Sequence, residues 1–230
     1  LLARLEYERT RLRGLRTLAD SELSGPEGQF RASEVLLVEP PSRLRIEVLS
    51  MFGVAWVLAT DGKFLDIYSR EEGTVYRGEP SPALLADYLP VPLELSELTE
   101  LLLGRPPRRE IIKPRDVSWE PETGLIRLPL LIVGGGTTTV WFDGASGLLM
   151  RCEELDADGG LRFDLRIKAY RDVNGMLLGS DITILALDGV QIRLAYAKAE
   201  LNPTFAPDLF RLQNVVGARE VQLGTRGHLQ

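Results

Sequence analysis

The residue types that could carry catalysis are few here, and their spacing does not assemble a site. The 230 residues hold one histidine, His228, and one cysteine, Cys152. Acyl transfer through an activated hydroxyl or thiol needs an imidazole base held by a third group, and His228 sits in a C-terminal tail, 211–230, that reads as poorly ordered. Histidine-based hydrolysis is therefore excluded. Gly134-Gly135-Gly136 is followed by three threonines and a strand pattern, not by Lys-Ser or Lys-Thr and a helix, so it reads as a hairpin turn and not as a phosphate cradle. Asp61, Asp66, Asp143 and Asp181 could supply an acid and a base, but no spacing singles out two of them. The run Glu153 to Gly159 offers oxygen ligands without the spacing or closing Glu of a calcium loop. We expect no catalytic residue, no metal and no cofactor.

Composition narrows the choice further. With 44% hydrophobic and 26% charged residues the chain can bury a sizeable core as one domain spanning 1–230. A net charge of −6 argues against a phosphate-neutralising nucleic-acid surface and against electrostatic adhesion to anionic lipid. The arginines from Arg4 to Arg16 and in Arg105-Pro106-Pro107-Arg108-Arg109 read as solvated surface. A lone cysteine allows no internal disulfide. No run of about 18 apolar residues could span a bilayer as a helix, so membrane contact would be peripheral or through a lipid. The opening Leu1-Leu2-Ala3-Arg4-Leu5 does not read as a secretion signal, which is expected to be absent or removed.

The elements that must position any site are mostly strands. Residues 1 to about 20, and at most 1–24, read as an N-terminal helix with Leu1, Leu5, Leu12 and Leu15 near one face. From Phe30 onward the period is two: Leu44, Ile46 and Val48 alternate with Arg43, Arg45 and Glu47, and Phe163, Leu165 and Ile167 alternate with Asp164 and Arg166. Asp-Gly, Asn-Gly and similar turn pairs between such runs imply a meander of about eleven strands, long enough to curl on itself. Pro82 to Tyr88 and Leu93 to Leu103 read as short helices, part of an 80–106 insertion suited to plug a curled sheet. The expected fold is mainly β with α: an unclosed, strongly curved antiparallel β-barrel with an N-terminal helix and short lid or plug helices. Phe30, Leu44, Ile46, Val48, Trp56, Leu58, Phe64, Trp141, Phe163, Leu165 and Ile167 would face inward, joined by Leu95, Leu98, Leu101 and Leu102 of the insertion. Such residues fill a core unless the sheet encloses more volume than they occupy.

The turn Ser50-Met51-Phe52-Gly53-Val54 breaks the rule that turn tips are polar. It either folds back onto the core or protrudes as a contact loop.

Three stretches resemble the bacterial LolA/LolB lipoprotein-localisation superfamily, in a divergent form closer to its LolB-like outer-membrane branch. They are the proline-bounded start of a strand, Pro40-Pro41-Ser42-Arg43-Leu44-Arg45; the strand, apolar turn and strand from Leu49 to Leu58 leading to Asp61-Gly62-Lys63; and Val91-Pro92-Leu93 to Leu103-Gly104-Arg105-Pro106. The closing Asn202 to Phe210 is more similar to LolA-like proteins. The resemblance implies a non-enzymatic periplasmic carrier or acceptor. It would shelter lipoprotein acyl chains in a hydrophobic cavity and help insert lipoproteins into the outer membrane. Implied partners are lipoproteins, a LolA-like carrier and the inner leaflet of the outer membrane, with no nucleic acid. The protein would be a monomer tethered by an N-terminal lipid outside this sequence. By position in the turn Phe52 would be the residue that enters lipid, with Met51, Gly53 and Val54 beside it. An envelope interaction or sensor module with a filled core and no lipid is the alternative on the same fold.

Overall fold

Alternating apolar and polar side chains can bury only one face of a strand, and here that face belongs to one long sheet. In the computed structural model, which describes residues 1–26, 28–89, 93–186, 189–213 and 215–223, a first helix, α1 (Leu2–Arg11), leads into six strands. These are β1 (Leu15–Gly25), β2 (Gly28–Glu39), β3 (Arg43–Ser50), β4 (Gly53–Thr60), β5 (Leu65–Ser69) and β6 (Thr74–Gly78). Helices α2 (Pro82–Ala86) and α3 (Leu95–Leu102) follow, then two short strands, β7 (Ile111–Pro114) and β8 (Ser118–Glu120). The second half is β9 (Leu125–Ile132), β10 (Thr137–Asp143), β11 (Leu149–Leu155), β12 (Leu161–Val173), β13 (Met176–Leu185), β14 (Gln191–Leu201) and β15 (Arg219–Gln222). Val91 and Pro92 of the resemblance, His228, and 224–230 of the expected tail lie outside the described residues.

The strands form one sheet in the order β15-β6-β5-β4-β3-β2-β1-β14-β13-β12-β11-β10-β9-β7, with β8 also on β9. Its pairings are antiparallel except for β15, which runs parallel to β6. The sheet is not closed: β15 forms one edge, and β7 and β8, one after the other along β9, form the other. Two meanders are joined where β1 pairs with β2 on one side and β14 on the other. Register shifts between β3 and β4, β10 and β11, and β12 and β13 are bulges of the kind that bend and twist a sheet.

Cross-strand partners line up the buried face. Leu36, Ile46, Leu58 and Ile67 form one row over β2 to β5. Leu128, Val140, Cys152, Leu165 and Ile184 form another over β9 to β13. These residues share one core cluster with Leu95, Leu98, Leu101, Leu102 and Leu103, so α3 lies inside the curve of the sheet. Its last turn ends at Gly104, whose φ of +69° suits a residue without a Cβ and whose ideal Cβ would stand 3.6 Å from Gly179 Cα on β13.

Several expectations are corrected. The N-terminal helix ends at Arg11, and Leu15–Gly25 is strand: Leu15, Thr17 and Ala19 are buried alternately, and the tertiary pairing of β1 wins over the helical spacing of Leu12 and Leu15. Among the described residues the sheet has fifteen strands, not about eleven, because the short β7, β8 and β15 carry too few residues to show a period. Part of the expected tail is ordered: Asp66, fully buried on β5, accepts hydrogen bonds from Arg211 Nε and the Leu212 backbone N–H, both at 2.8 Å. Phe205 and Phe210 pack edge to face at 5.2 Å against Leu37, on the opposite face from Leu36.

Leu101 is completely buried beneath α3. Leu101→Ala should therefore destabilise the protein by about 2–5 kcal/mol, seen as a lower urea midpoint with an unchanged slope.

Candidate functional site

Among the described residues the concave side carries the largest apolar cluster, and its two halves are covered differently. In the centre α3 fills the curve: Leu98 and Leu102 are buried with Leu101, Tyr196 Oη on β14 donates to the Leu102 carbonyl at 2.6 Å, and Thr99 Oγ1 donates to the Pro41 carbonyl at 3.1 Å. Over β9 to β13 the cover is α1. Leu5 and Leu2 pack only partly against the core, and clefts remain on both sides of the helix. One, of about 290 Å³, is lined by Leu2, Leu5, Ile111, Leu130, Ile132 and Val140 together with the Pro106–Arg109 stretch. The other, of about 180 Å³, runs between Leu5, Leu12, Leu103, Phe142, Leu149 and Tyr170, with Arg4, Glu8, Arg11 and Arg105 also on its walls.

Charged groups pin both covers. Glu154 on β11 is fully buried and accepts from Arg109 Nε at 2.9 Å, Arg109 Nη2 at 2.7 Å and Thr138 Oγ1 at 2.9 Å, with Arg162 also bound to it. The same two arginines hold Glu97 on α3, Arg162 Nη2 at 2.9 Å and Arg109. Burial pushes the Glu97 carboxyl up, but the Glu94 backbone N–H, Arg109 and Arg162 outweigh it and hold the group below the usual carboxylate range. A second cluster joins α1 to the chain after α3. Arg105 pairs with Glu100 and donates to the Leu12 carbonyl at 2.6 Å, while Arg9 Nη2 donates to the Pro106 carbonyl at 2.7 Å. Burial lowers the Arg105 pKa despite Glu100.

Arg9 and Arg105 are buried, which overturns their reading as solvated surface. Their sequence signal was slight: Glu97 and Glu100 stand three apart on an otherwise apolar helix, and carboxylates so placed need cationic partners once buried.

The hairpin tip protrudes. Met51 and Phe52 are 89% and 77% exposed in the two-residue loop between β3 and β4. The loop is braced by Ser50 Oγ, which donates to the Gly53 carbonyl at 2.8 Å and accepts from the Phe52 N–H at 3.3 Å. Gly53, at φ +99°, makes the turn. Val54 packs sideways against Val57, Ala59 and Leu212 and does not belong to the exposed tip.

Among the residues expected inside, Leu44, Ile46, Leu58, Leu95, Phe163, Leu165 and Ile167 lie in the core cluster, and Trp56 packs partly against it. Val48 is half-buried opposite Trp56. Three others lie outside that cluster. Trp141 is buried on the opposite face, with the Arg151 guanidinium 4.4 Å above its ring and Nε1 donating to Glu120 at 3.0 Å; the parity of β10 gives the inner face to Val140. Phe64 is half exposed and stacked under Arg211 at 4.3 Å. Phe30 shares the inner parity of Leu36 and Val38, but it lies beyond the part of the sheet that the helices cover and is 55% exposed.

Near that uncovered end Glu34 faces inward between Ala19 and Val48. Burial raises its pKa, while a 2.7 Å hydrogen bond from Ser21 Oγ opposes the shift. The four aspartates weighed for acid–base chemistry are dispersed. Asp66 anchors the C-terminal segment, Asp181 pairs with Arg193, and Asp61 and Asp143 accept from turn N–H groups. Cys152 is buried and its thiol pKa is pushed well up by desolvation, the opposite of an activated nucleophile. Among the described residues no cluster of His, Cys, Asp and Glu could hold a metal ion.

No family model matches the sequence, and no curated protein does. Solved structures match in shape. A LolA-superfamily protein from Nitrosomonas europaea superposes with a TM-score of 0.60 at 10% identity over 91% of this chain and 97% of its own. A protein domain from Vibrio parahaemolyticus assigned to outer-membrane lipoprotein sorting gives 0.61 at 10% identity, over 91% and 95%. A DUF1329-family protein from Desulfovibrio piger gives 0.60 at 11% identity, over 91% and 93%. The chain thus has the LolA-superfamily fold.

Two outcomes follow from the buried charges. Glu154→Ala removes the fully buried one of the two carboxylates that Arg109 and Arg162 share and should cost about 3–5 kcal/mol of stability by denaturant titration. Glu34 has a raised folded-state pKa, so its ionisation disfavours folding above that value and the penalty vanishes below the unfolded pKa. Glu34→Gln should therefore stabilise the protein at pH 7–8, with the difference from wild type closing as the pH falls toward about 4 in thermal melts run across that range.

Proposed function

We propose that this protein is a non-catalytic carrier or acceptor of acyl chains in the cell envelope, serving lipoproteins and delivering them to a membrane. The observation that carries the reading is the pair of apolar clefts flanking Leu5 between α1 and the concave sheet. A filled β core needs no such gaps, and a helix of ten residues held largely at its ends is a cover that can yield. α3 supplies the contrast: its leucines already occupy the centre of the curve, so acyl chains would enter beside it by displacing α1.

The physical need is large. At about 0.8 kcal/mol per methylene, three acyl chains of roughly fifteen carbons would cost on the order of 30 kcal/mol to leave in water. A carrier must offset most of that and still let go, which suits gaps beneath a movable helix better than a closed cavity. Met51 and Phe52 on a braced tip provide a point of membrane contact. Entry of Phe52 into a bilayer contributes about 1.5–3 kcal/mol, enough for transient seating and too little for anchorage. The fold shared with a lipoprotein-sorting domain supports the same class of role. On this reading the chain is one LolA/LolB-like domain working in the periplasm, with an outer-membrane tether.

A specific observation also favours the filled-core interaction module: Leu95, Leu98, Leu101 and Leu102 are all buried against the sheet. Binding of a fluorescent fatty acid separates the two readings. A carrier should bind it saturably and lose binding in Leu5→Glu, whose side chain is only partly buried; no uptake by the native chain would favour the interaction module. Phe52→Glu should leave the melting temperature within about 2 °C, as a surface change does, while slowing transfer of a lipidated cargo into vesicles. Unchanged transfer would remove the tip from the mechanism.

A further inference from the structure

Beside the apolar cleft under α1 lies a larger one of about 680 Å³ with a different lining. Six arginines, Arg9, Arg13, Arg43, Arg105, Arg108 and Arg109, face it with only three glutamates. That is a local surplus of three positive charges in a chain whose net charge is −6. The glutamates are committed: Glu39 to Arg43, Glu97 to Arg109 and Glu100 to Arg105. Among the described residues the side chains of Arg13 and Arg108 make no ion pair or hydrogen bond. The buried Arg9 pairs with Glu6 at 3.4 Å and donates from Nη2 to the Pro106 carbonyl at 2.7 Å, while its Nε has no hydrogen-bond partner and stands 3.9 Å from Glu100.

The two clefts share a wall. Arg9, Pro107, Arg108 and Arg109 line both, so the unpaired Arg108 guanidinium and the partnerless Arg9 Nε stand where an apolar channel opens into a basic one. Guanidinium forks match oxyanions in geometry, and a concave, partly desolvated cleft of one sign strengthens and focuses the attraction. We infer that the joined clefts form one site for an anionic amphiphile, with a single acyl tail beside Leu5 and an oxyanion headgroup, a phosphate ester being the plain case, held by Arg13 and Arg108 with the Arg9 Nε beside them. This rests on the acyl-carrier reading and names the ligand class more closely.

The test compares an acyl glycerol phosphate with a monoacylglycerol of the same tail, each bearing the same fluorophore, on the full chain at low salt. The phosphate ester should bind about tenfold more tightly, the gain of one or two charge-assisted hydrogen bonds. The exposed pair Arg13→Gln with Arg108→Gln should remove most of that preference without weakening the neutral lipid, and the corresponding lysine pair should restore part of it. Equal affinity of the native chain for both lipids would overturn the headgroup site and leave the carrier reading standing. Absence of binding to either lipid would overturn both. Displacement by glycerol phosphate alone at the same concentration as the lipid would overturn the joined site, since the tail would then add nothing.

Discussion

A sheet that curves but does not close must cover its concave face, and the rest of this structure follows from how that is done. Rows of leucine, isoleucine and valine run across β2 to β5 and β9 to β13 on that side. Each such side chain is worth about 1.5–3 kcal/mol when removed from water, so leaving the face bare would forfeit most of the driving force for folding. The chain between β6 and β7 supplies α3 as the central plug, and the start of the chain supplies α1 as the second cover. The plug packs against the sheet; the cover leaves gaps. Function, on the reading proposed here, is located in that inequality.

Burying the covers brings charged side chains with them. Glu97 and Glu154 meet Arg109 and Arg162, while Glu100 meets Arg105. Such networks contribute little net stability compared with an apolar replacement, but a misplaced helix would strand a charge, so they specify position. α3 is thereby fixed in rotation and depth, with Tyr196 and Thr99 adding backbone contacts from both halves of the sheet. α1 is tied through the carbonyls of Arg9, Leu12 and Arg11 to Arg105 and Asn202, and through the Arg9 side chain to the Pro106 carbonyl. A ten-residue helix is marginal in isolation, so α1 depends on this docking for its own structure. Displacing it and loosening it are the same event.

The convex side has its own economy of contacts. Phe205, Phe210 and Leu212 strap the C-terminal segment across β2 to β5, and Asp66 fixes it. The strap packs on the outer face of the strands that carry the Met51-Phe52 tip.

The sequence by itself determined the class of fold and its polarity. Alternation along Leu44, Ile46 and Val48 and along Phe163, Leu165 and Ile167 assigned strands and their buried faces, because a strand's side-chain period is fixed by its backbone. Proline-bounded leucines marked α3 for the same reason at helical period. The apolar tip, too, was legible as an exception to turn chemistry, although only the tertiary structure decided that it protrudes. What local pattern could not decide is whatever depends on partners distant in the chain. Leu15 could extend a helix or begin a strand until β2 and β14 flanked it. Trp141 and Val140 are equally apolar, and cross-strand register alone gave one the outer face and the other the core. Phe30 has the inward parity, yet stays open because no cover reaches that far along β2. The buried arginines are the clearest case: Arg9 and Arg105 are 96 positions apart, and their charge implies solvent until the fold surrounds them with the carboxylate and carbonyl oxygens that make burial tolerable.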